Sequence, residues 1–218
     1  MSSSRGKIAT ISVVAIVGAL ILSVYVSTSS STAVGGSSSS SSASIAAQEA
    51  TAYKTTRYAI DTEQDFATFV AKFEDAVPMF DPAILAGVTS WDEVVENTAA
   101  AAPNSFLIYS KLPAGQVMQI NGDAFPNDRL DSNAYLMGNH VIAETMYRHY
   151  PGAILNAPLR VLIFEDEHGH AVMEMERPSD QFGSFGNKEI AKVGLFLNQK
   201  VADLMTLLGV PVPDGLTR

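Results

Sequence analysis

Leu159-Arg160-Val161-Leu162-Ile163-Phe164, the turn Asp166-Glu167-His168-Gly169, and Ala171-Val172-Met173-Glu174-Met175-Glu176 decide the fold. The first run is almost wholly apolar, the pattern of a central strand buried on both faces. The turn carries the acid and the glycine that a tight reversal needs. The second run alternates, with Met173 and Met175 directed inward and Glu174 and Glu176 outward. Together they predict a β-hairpin near the middle of a sheet.

Downstream, Asn187–Leu208 repeats apolar residues at helical spacing (Ile190, Val193, Leu197, Val201, Leu204, Leu208), and Gly209 and Pro211 end the helix. Upstream, Ala134–Met137 reads as a short strand, and Asn139 caps a helix running to about Tyr150. Tyr53–Ile60 reads as a first strand. Asp61 or Thr62 then caps a helix over 63–76, whose stripe is Phe66, Phe69, Val70, Phe73 and Val77. Ser90 and Glu93 form a capping-box pattern for a helix ending before Pro103. Ser105–Lys111 reads as a strand, Pro113-Ala114-Gly115 as a turn, Gln116–Asn121 as its hairpin partner, and Asp123–Asp131 as a polar loop. Two hairpins without regular βαβ spacing define the class as α+β: a mainly antiparallel sheet with helices packed on one face.

This single domain, 49–218, stands behind a different kind of sequence. Residues 1–7 hold Arg5 and Lys7, and 8–26 contain no charge. Nineteen helical residues span roughly 28 Å, close to a hydrocarbon core. The basic residues lie on the amino side, which predicts a cytosolic N-terminus and an extracytoplasmic domain. A retained signal anchor and a cleaved signal peptide are the two readings. The first makes a single-pass membrane protein and the second a secreted one. Residues 27–48 are a Ser-rich linker with a reach of roughly 25 Å as a coil.

All 23 acidic residues and 12 of the 14 basic ones follow residue 48, a formal net of −11. Such a domain has no electrostatic footprint for nucleic acid. The chain has no cysteine, which removes disulfides, thiol catalysis and zinc–cysteine sites. No phosphate loop, His-Glu-x-x-His, Gly-x-Ser-x-Gly or EF-hand pattern occurs, and no cofactor is expected.

Several segments in order resemble the family called domain of unknown function 302. They are Tyr135-Leu136-Met137-Gly138-Asn139-His140, then Tyr150-Pro151-Gly152, then Ala157-Pro158 into Leu159–Asp166, then Gly169 and Arg177-Pro178. The resemblance covers 134–178. It implies a small α+β domain, a homodimer, and no assigned chemistry. The family's proline after the asparagine is His140 here, and the cysteine common before it is Gly138. Residues 78–133 and the helix over 187–208 read as additions to the family domain.

Few residues invite chemistry. Asn139 caps a helix start, and a helix start also suits a ligand anchor, with His140 as acid, base or ligand. Glu144 lies four residues after His140 on the same helical face. His168 and His170 flank Gly169 and offer a weak metal pair. Met118, Met137, Met173 and Met175 are expected to fill the core, with copper binding as the alternative. Three functions follow. The first is a binding or interaction module for a small apolar or amphiphilic ligand or a partner protein. The second is an extracytoplasmic metal-handling or redox-accessory protein using His140, His168 and His170. The third is an enzyme built on Asn139, His140 and Glu144.

Overall fold

The hairpin forms where the sequence places it. β4 (Leu159–Glu165) and β5 (His170–Glu176) pair antiparallel, with Val161 opposite Met175 and Ile163 opposite Met173. Asp166 fixes the reversal: its Oδ1 accepts the backbone N–H groups of His168 and His170, each at 2.8 Å. Gly169 takes φ +86°, the left-handed region where a side chain is strained. The computed structural model describes residues 50–124 and 131–217. The expected membrane segment (8–26), the linker (27–48) and 125–130 of the polar loop lie outside the described residues. Gln48–Arg218 forms one compact unit. Among the described residues no helix is long and apolar enough to cross a membrane.

Five strands make one antiparallel sheet in the order β1-β5-β4-β3-β2, so β4 is central. Its burial corrects the expectation of two covered faces. Leu159, Val161 and Ile163 are buried, while Arg160 is exposed and Leu162 and Phe164 are half-buried. The helices cover one face only. On the other, charges cross between strands: Arg160 reaches Glu176 at 2.9 Å and Arg57 reaches Glu174 at 3.9 Å. Met173 and Met175 point inward as expected, and Met137 joins them.

β1 (Arg57–Asp65) runs further than expected, and α1 (Phe66–Ala76) starts later. Neither Asp61 nor Thr62 caps it. Thr62 is buried and donates its hydroxyl to the Ala171 carbonyl at 2.7 Å, which keeps it in the sheet. Asp61 accepts the N–H of Glu63 at an irregularity in the strand, where Glu63 has φ +54°. Asp65 is the cap, accepting from Thr68 N–H at 2.9 Å. From α1, Phe69, Phe73 and Val77 enter the core.

α2 (Trp91–Ala101) begins at Ser90, whose Oγ accepts the Glu93 N–H at 3.2 Å. The Glu93 carboxylate turns back to Thr89 N–H at 2.8 Å. β2 (Leu107–Leu112) then departs from expectation. It pairs with β3 (Ser132–Gly138), not with 116–121. After Pro113 the chain winds into the short α3 (Ala114–Met118), and Val117 and Met118 are exposed. Tyr135 and Met137 supply the buried residues that a partner of β2 needs on the covered face.

α4 (His140–Tyr147) follows β3 and ends three residues before Tyr150. A 3₁₀ turn over Pro151–Asn156 leads into β4. α5 (Pro178–Gly183) follows β5 directly. It packs on α6 (Lys188–Leu208), where a Cβ added to Gly194 would lie 3.0 Å from the Ser179 Cα. Asn198 is buried at that crossing and accepts the Ser179 N–H at 3.0 Å. α6 starts at Asn187 and ends at Gly209 in the left-handed conformation, as its sequence predicts.

Candidate functional site

The end of β3 hands its chain directly to α4, and the helix N-terminus is closed by Asn139. Its Oδ1 accepts from Val141 N–H at 2.9 Å and from Ile142 N–H at 3.2 Å. Its Nδ2 donates to the Ser105 carbonyl at 3.0 Å, tying the cap to the strand beside it. Below this junction, bounded by α4, the 151–156 turn, α5 and α6, is a half-open cavity of about 250 Å³. Apolar residues dominate its wall, among them Phe106, Ile142, Met146, Ile154, Phe182 and Leu197. Asn139, His140 and Tyr109 supply the polar wall. Gly138 also lines it, and a Cβ there would stand 3.1 Å from the Pro158 Cβ. A larger residue at 138 therefore needs Pro158 to shift by tenths of an ångström.

The state of His140 follows from its partners. Thr98 is buried and donates its hydroxyl to the Val94 carbonyl at 2.6 Å, so its oxygen is left to accept. It lies 2.7 Å from His140 Nε2, which must carry the proton. Nδ1 is then an acceptor, and the Tyr109 hydroxyl 2.7 Å away donates to it. The Tyr109 oxygen in turn accepts the His140 backbone N–H at 3.0 Å. Phe80 stacks on Tyr109 with ring centroids 4.9 Å apart and meets the imidazole edge-on at 5.7 Å. Burial holds the imidazole pKa below its ordinary value and pushes the Tyr109 phenol up. His140 is thus a neutral side chain with both ring nitrogens engaged.

Of the three residues proposed together, the structure joins two. Asn139 and His140 share the pocket wall. Glu144 is not part of it, and its carboxylate holds Arg148, whose Nε lies 3.1 Å away. Sequence reasoning missed Thr98, Tyr109 and Phe80. Thr98 is the only polar residue in the run Thr98–Ala102, the one signal that could have marked it.

His168 and His170 have ring centroids 6.3 Å apart. A different set gathers around His170. Ligand atoms of Asp61, Asp166 and His170 all lie within 4.8 Å of one another. Two carboxylates and an imidazole suit a borderline or hard divalent ion more than copper. Of the four methionines weighed for copper, Met137, Met173 and Met175 are core residues and Met118 is exposed on α3.

The pH dependence has a definite sign. Folding lowers the His140 pKa, so the unfolded chain binds more protons below its ordinary value of 6.5. The contribution of this group is complete above that value. It is lost as pH falls through the unfolded and then the folded pKa. Urea unfolding between pH 8 and pH 5 should show stability falling with acidification, and His140→Gln should flatten that slope. An unchanged slope in the variant would remove the locked-neutral assignment.

The family model described as "Domain of unknown function DUF302" matches residues 86–208. The match takes in α6 and most of 78–133, so these segments are family structure and not additions. Among solved structures, the crystal structure of an uncharacterized conserved protein DUF302 from Bacillus stearothermophilus is similar in fold, with a TM-score of 0.51 at 9% identity. The likeness covers 70% of this chain and 97% of that one. No curated protein matches the chain. With a family model matching more than half its length, and a fold like that of a DUF302 structure, the chain belongs to the DUF302 family.

Proposed function

We propose that this domain is a binding module whose ligand, a small apolar or amphiphilic molecule, occupies the cavity under α4. The observation that carries the reading is a cavity of about 250 Å³ with an apolar wall and a fixed polar rim at Asn139, His140 and Tyr109. Ligand sites are concave, mostly apolar and largely preformed, with a few placed polar groups. The enzyme reading has less support. Both nitrogens of His140 are committed, and Glu144 is engaged by Arg148. A free base needs an open lone pair within reach of a substrate proton.

We place the module outside a membrane, anchored by 8–26 or secreted after cleavage. The uncharged run and the basic residues before it support this, as does the reach of the Ser-rich linker. A second reading, metal handling, is favoured by one observation: Asp61, Asp166 and His170 converge from β1, the β4–β5 turn and β5. This set replaces the pairing of His168 with His170, and it leaves His140 out.

Native mass spectrometry of the full chain tests the first reading. A retained or added small apolar ligand, lost in a pocket-filling Ala143→Phe variant, is the expected result. Equal binding by the variant, or no binding at all, overturns it. The same spectra count subunits, and the family resemblance implies two. A C-terminal tag should be open to protease on intact cells; a tag accessible only after lysis contradicts the placement. For the metal reading, Mn²⁺ or Zn²⁺ should raise the melting temperature of the protein, and Asp61→Asn should abolish the shift. A shift that survives the substitution assigns the ion elsewhere.

A further inference from the structure

The polar groups around the cavity share one property. Asn139 Oδ1 already accepts two backbone N–H groups, and its Nδ2 donates to the Ser105 carbonyl. His140 gives Nε2–H to Thr98 and receives the Tyr109 hydroxyl on Nδ1. Tyr109 accepts the His140 N–H on its oxygen. Each polar side-chain atom of the rim has a protein partner, and the second N–H of Asn139 Nδ2 is the one donor left over. A ligand placing a carboxylate, phosphate or ammonium inside would strip that group of water and offer it no charged partner.

The mouth has the opposite character. Ile154 lines the cavity and is 39% exposed, and Leu155 beside it on the 3₁₀ turn is 86% exposed. Tyr150, at the start of the same turn, is half-exposed. Ile154 thus carries the apolar wall to the surface, with the exposed Leu155 next to it in the chain. The cavity volume leaves room for roughly eight chain carbons, at about 30 Å³ each, the share of one water in the liquid.

We infer that the site takes the hydrocarbon end of an amphiphile, an acyl or prenyl chain, and leaves the head group outside over Ile154 and Leu155. This rests on the reading of the cavity as a ligand site and specifies what that site accepts. Recognition is by the length of the chain and not by the sign of the head. Each methylene buried strengthens binding about fourfold until the cavity is full. The neutral, doubly bonded His140 is part of this selectivity: it closes the polar end of the wall without presenting a charge.

The test uses the full chain and alkyl ligands kept below their micelle-forming concentrations: carboxylates, alcohols and trimethylammonium salts with four, six, eight and ten carbons. Ala143→Phe is the reference, and it carries the same apolar stretch at 8–26, so the difference between the two proteins reads the cavity alone. If Ala143→Phe loses its circular-dichroism signature, Ala143→Leu takes its place. The expected result is a cavity-dependent affinity that rises about fourfold per carbon to roughly eight and then levels. The three head groups should agree within about threefold. Equal affinity for four and ten carbons, or a tenfold preference for one head charge, overturns the inference. If no alkyl series binds but naphthalene does, in a manner lost with Ala143→Phe, the ligand site stands and the chain class falls. If neither binds, both fall. Transfer of a labelled chain from phosphatidylcholine vesicles, reduced by Leu155→Asp, supports a membrane lipid as the source. Binding of the dispersed ligand alone supports a free amphiphile.

Discussion

A sheet covered on one face only must sort its residues strictly, because moving a strand by one residue exchanges its two faces. This constraint reaches every strand. β3, β4 and β5 each send alternate residues inward, and Tyr135, Val161 and Met175 form one inward row across them. The opposite row holds Leu136, Arg160 and Glu176, with the last two in ionic contact. Helices α1 and α6 then meet the inward rows with Phe69, Phe73, Val201 and Met205. Burial of this kind gives on the order of 1.5–3 kcal/mol for each large side chain before entropy is counted. The covered face therefore dominates stability, and the cross-strand charges on the other face add little.

The cavity is a by-product of how that cover is built. α4 starts abruptly at the end of β3, and the chain must return past Pro158 to begin β4. Close passage of Gly138 and Pro158 brings these two turns together. The space left between α4, the 151–156 turn and α6 is lined by whatever those elements direct inward, which is mostly hydrocarbon. The N-terminus of α4 and Tyr109 of β2 bring the polar groups there, and a helix start must satisfy its own N–H groups first. Asn139 and Tyr109 do this, which is why the polar rim is already occupied.

Much of this was legible in the sequence. The 159–176 hairpin, the α6 stripe and the caps at Ser90 and Asn139 are local patterns, and each appears where its residues predict. The errors arise where a distant partner decides. Thr62 looks like a cap until Ala171, 109 residues away, takes its hydroxyl. Gln116–Asn121 looks like a hairpin arm until β3 supplies a better-buried edge for β2. The site follows the same division. Asn139 and His140 were visible as a helix start, but the imidazole's tautomer depends on Thr98 and Tyr109, which lie 42 and 31 residues away. The Asp61, Asp166 and His170 set was only partly visible, since Asp61 comes from a strand that no local pattern pairs with the turn.

One feature of α2 reaches beyond packing. Thr98 is the only buried residue of this eleven-residue helix; its alanines and Trp91 face outward or lie near the surface. A helix with one buried side chain, tied also by the Asn97 Nδ2 bond to the Ile84 carbonyl at 2.8 Å and lacking a buried apolar stripe, belongs to the low end of the range of local stability. If it lifts, His140 Nε2 loses its Thr98 acceptor. Amide exchange across 91–101 then reports a local opening that is independent of global unfolding. The histidine's tautomer becomes a reporter of whether that helix is docked. The neutral lock is thus also one of the ties that hold α2, beside the bond from Asn97 to the Ile84 carbonyl.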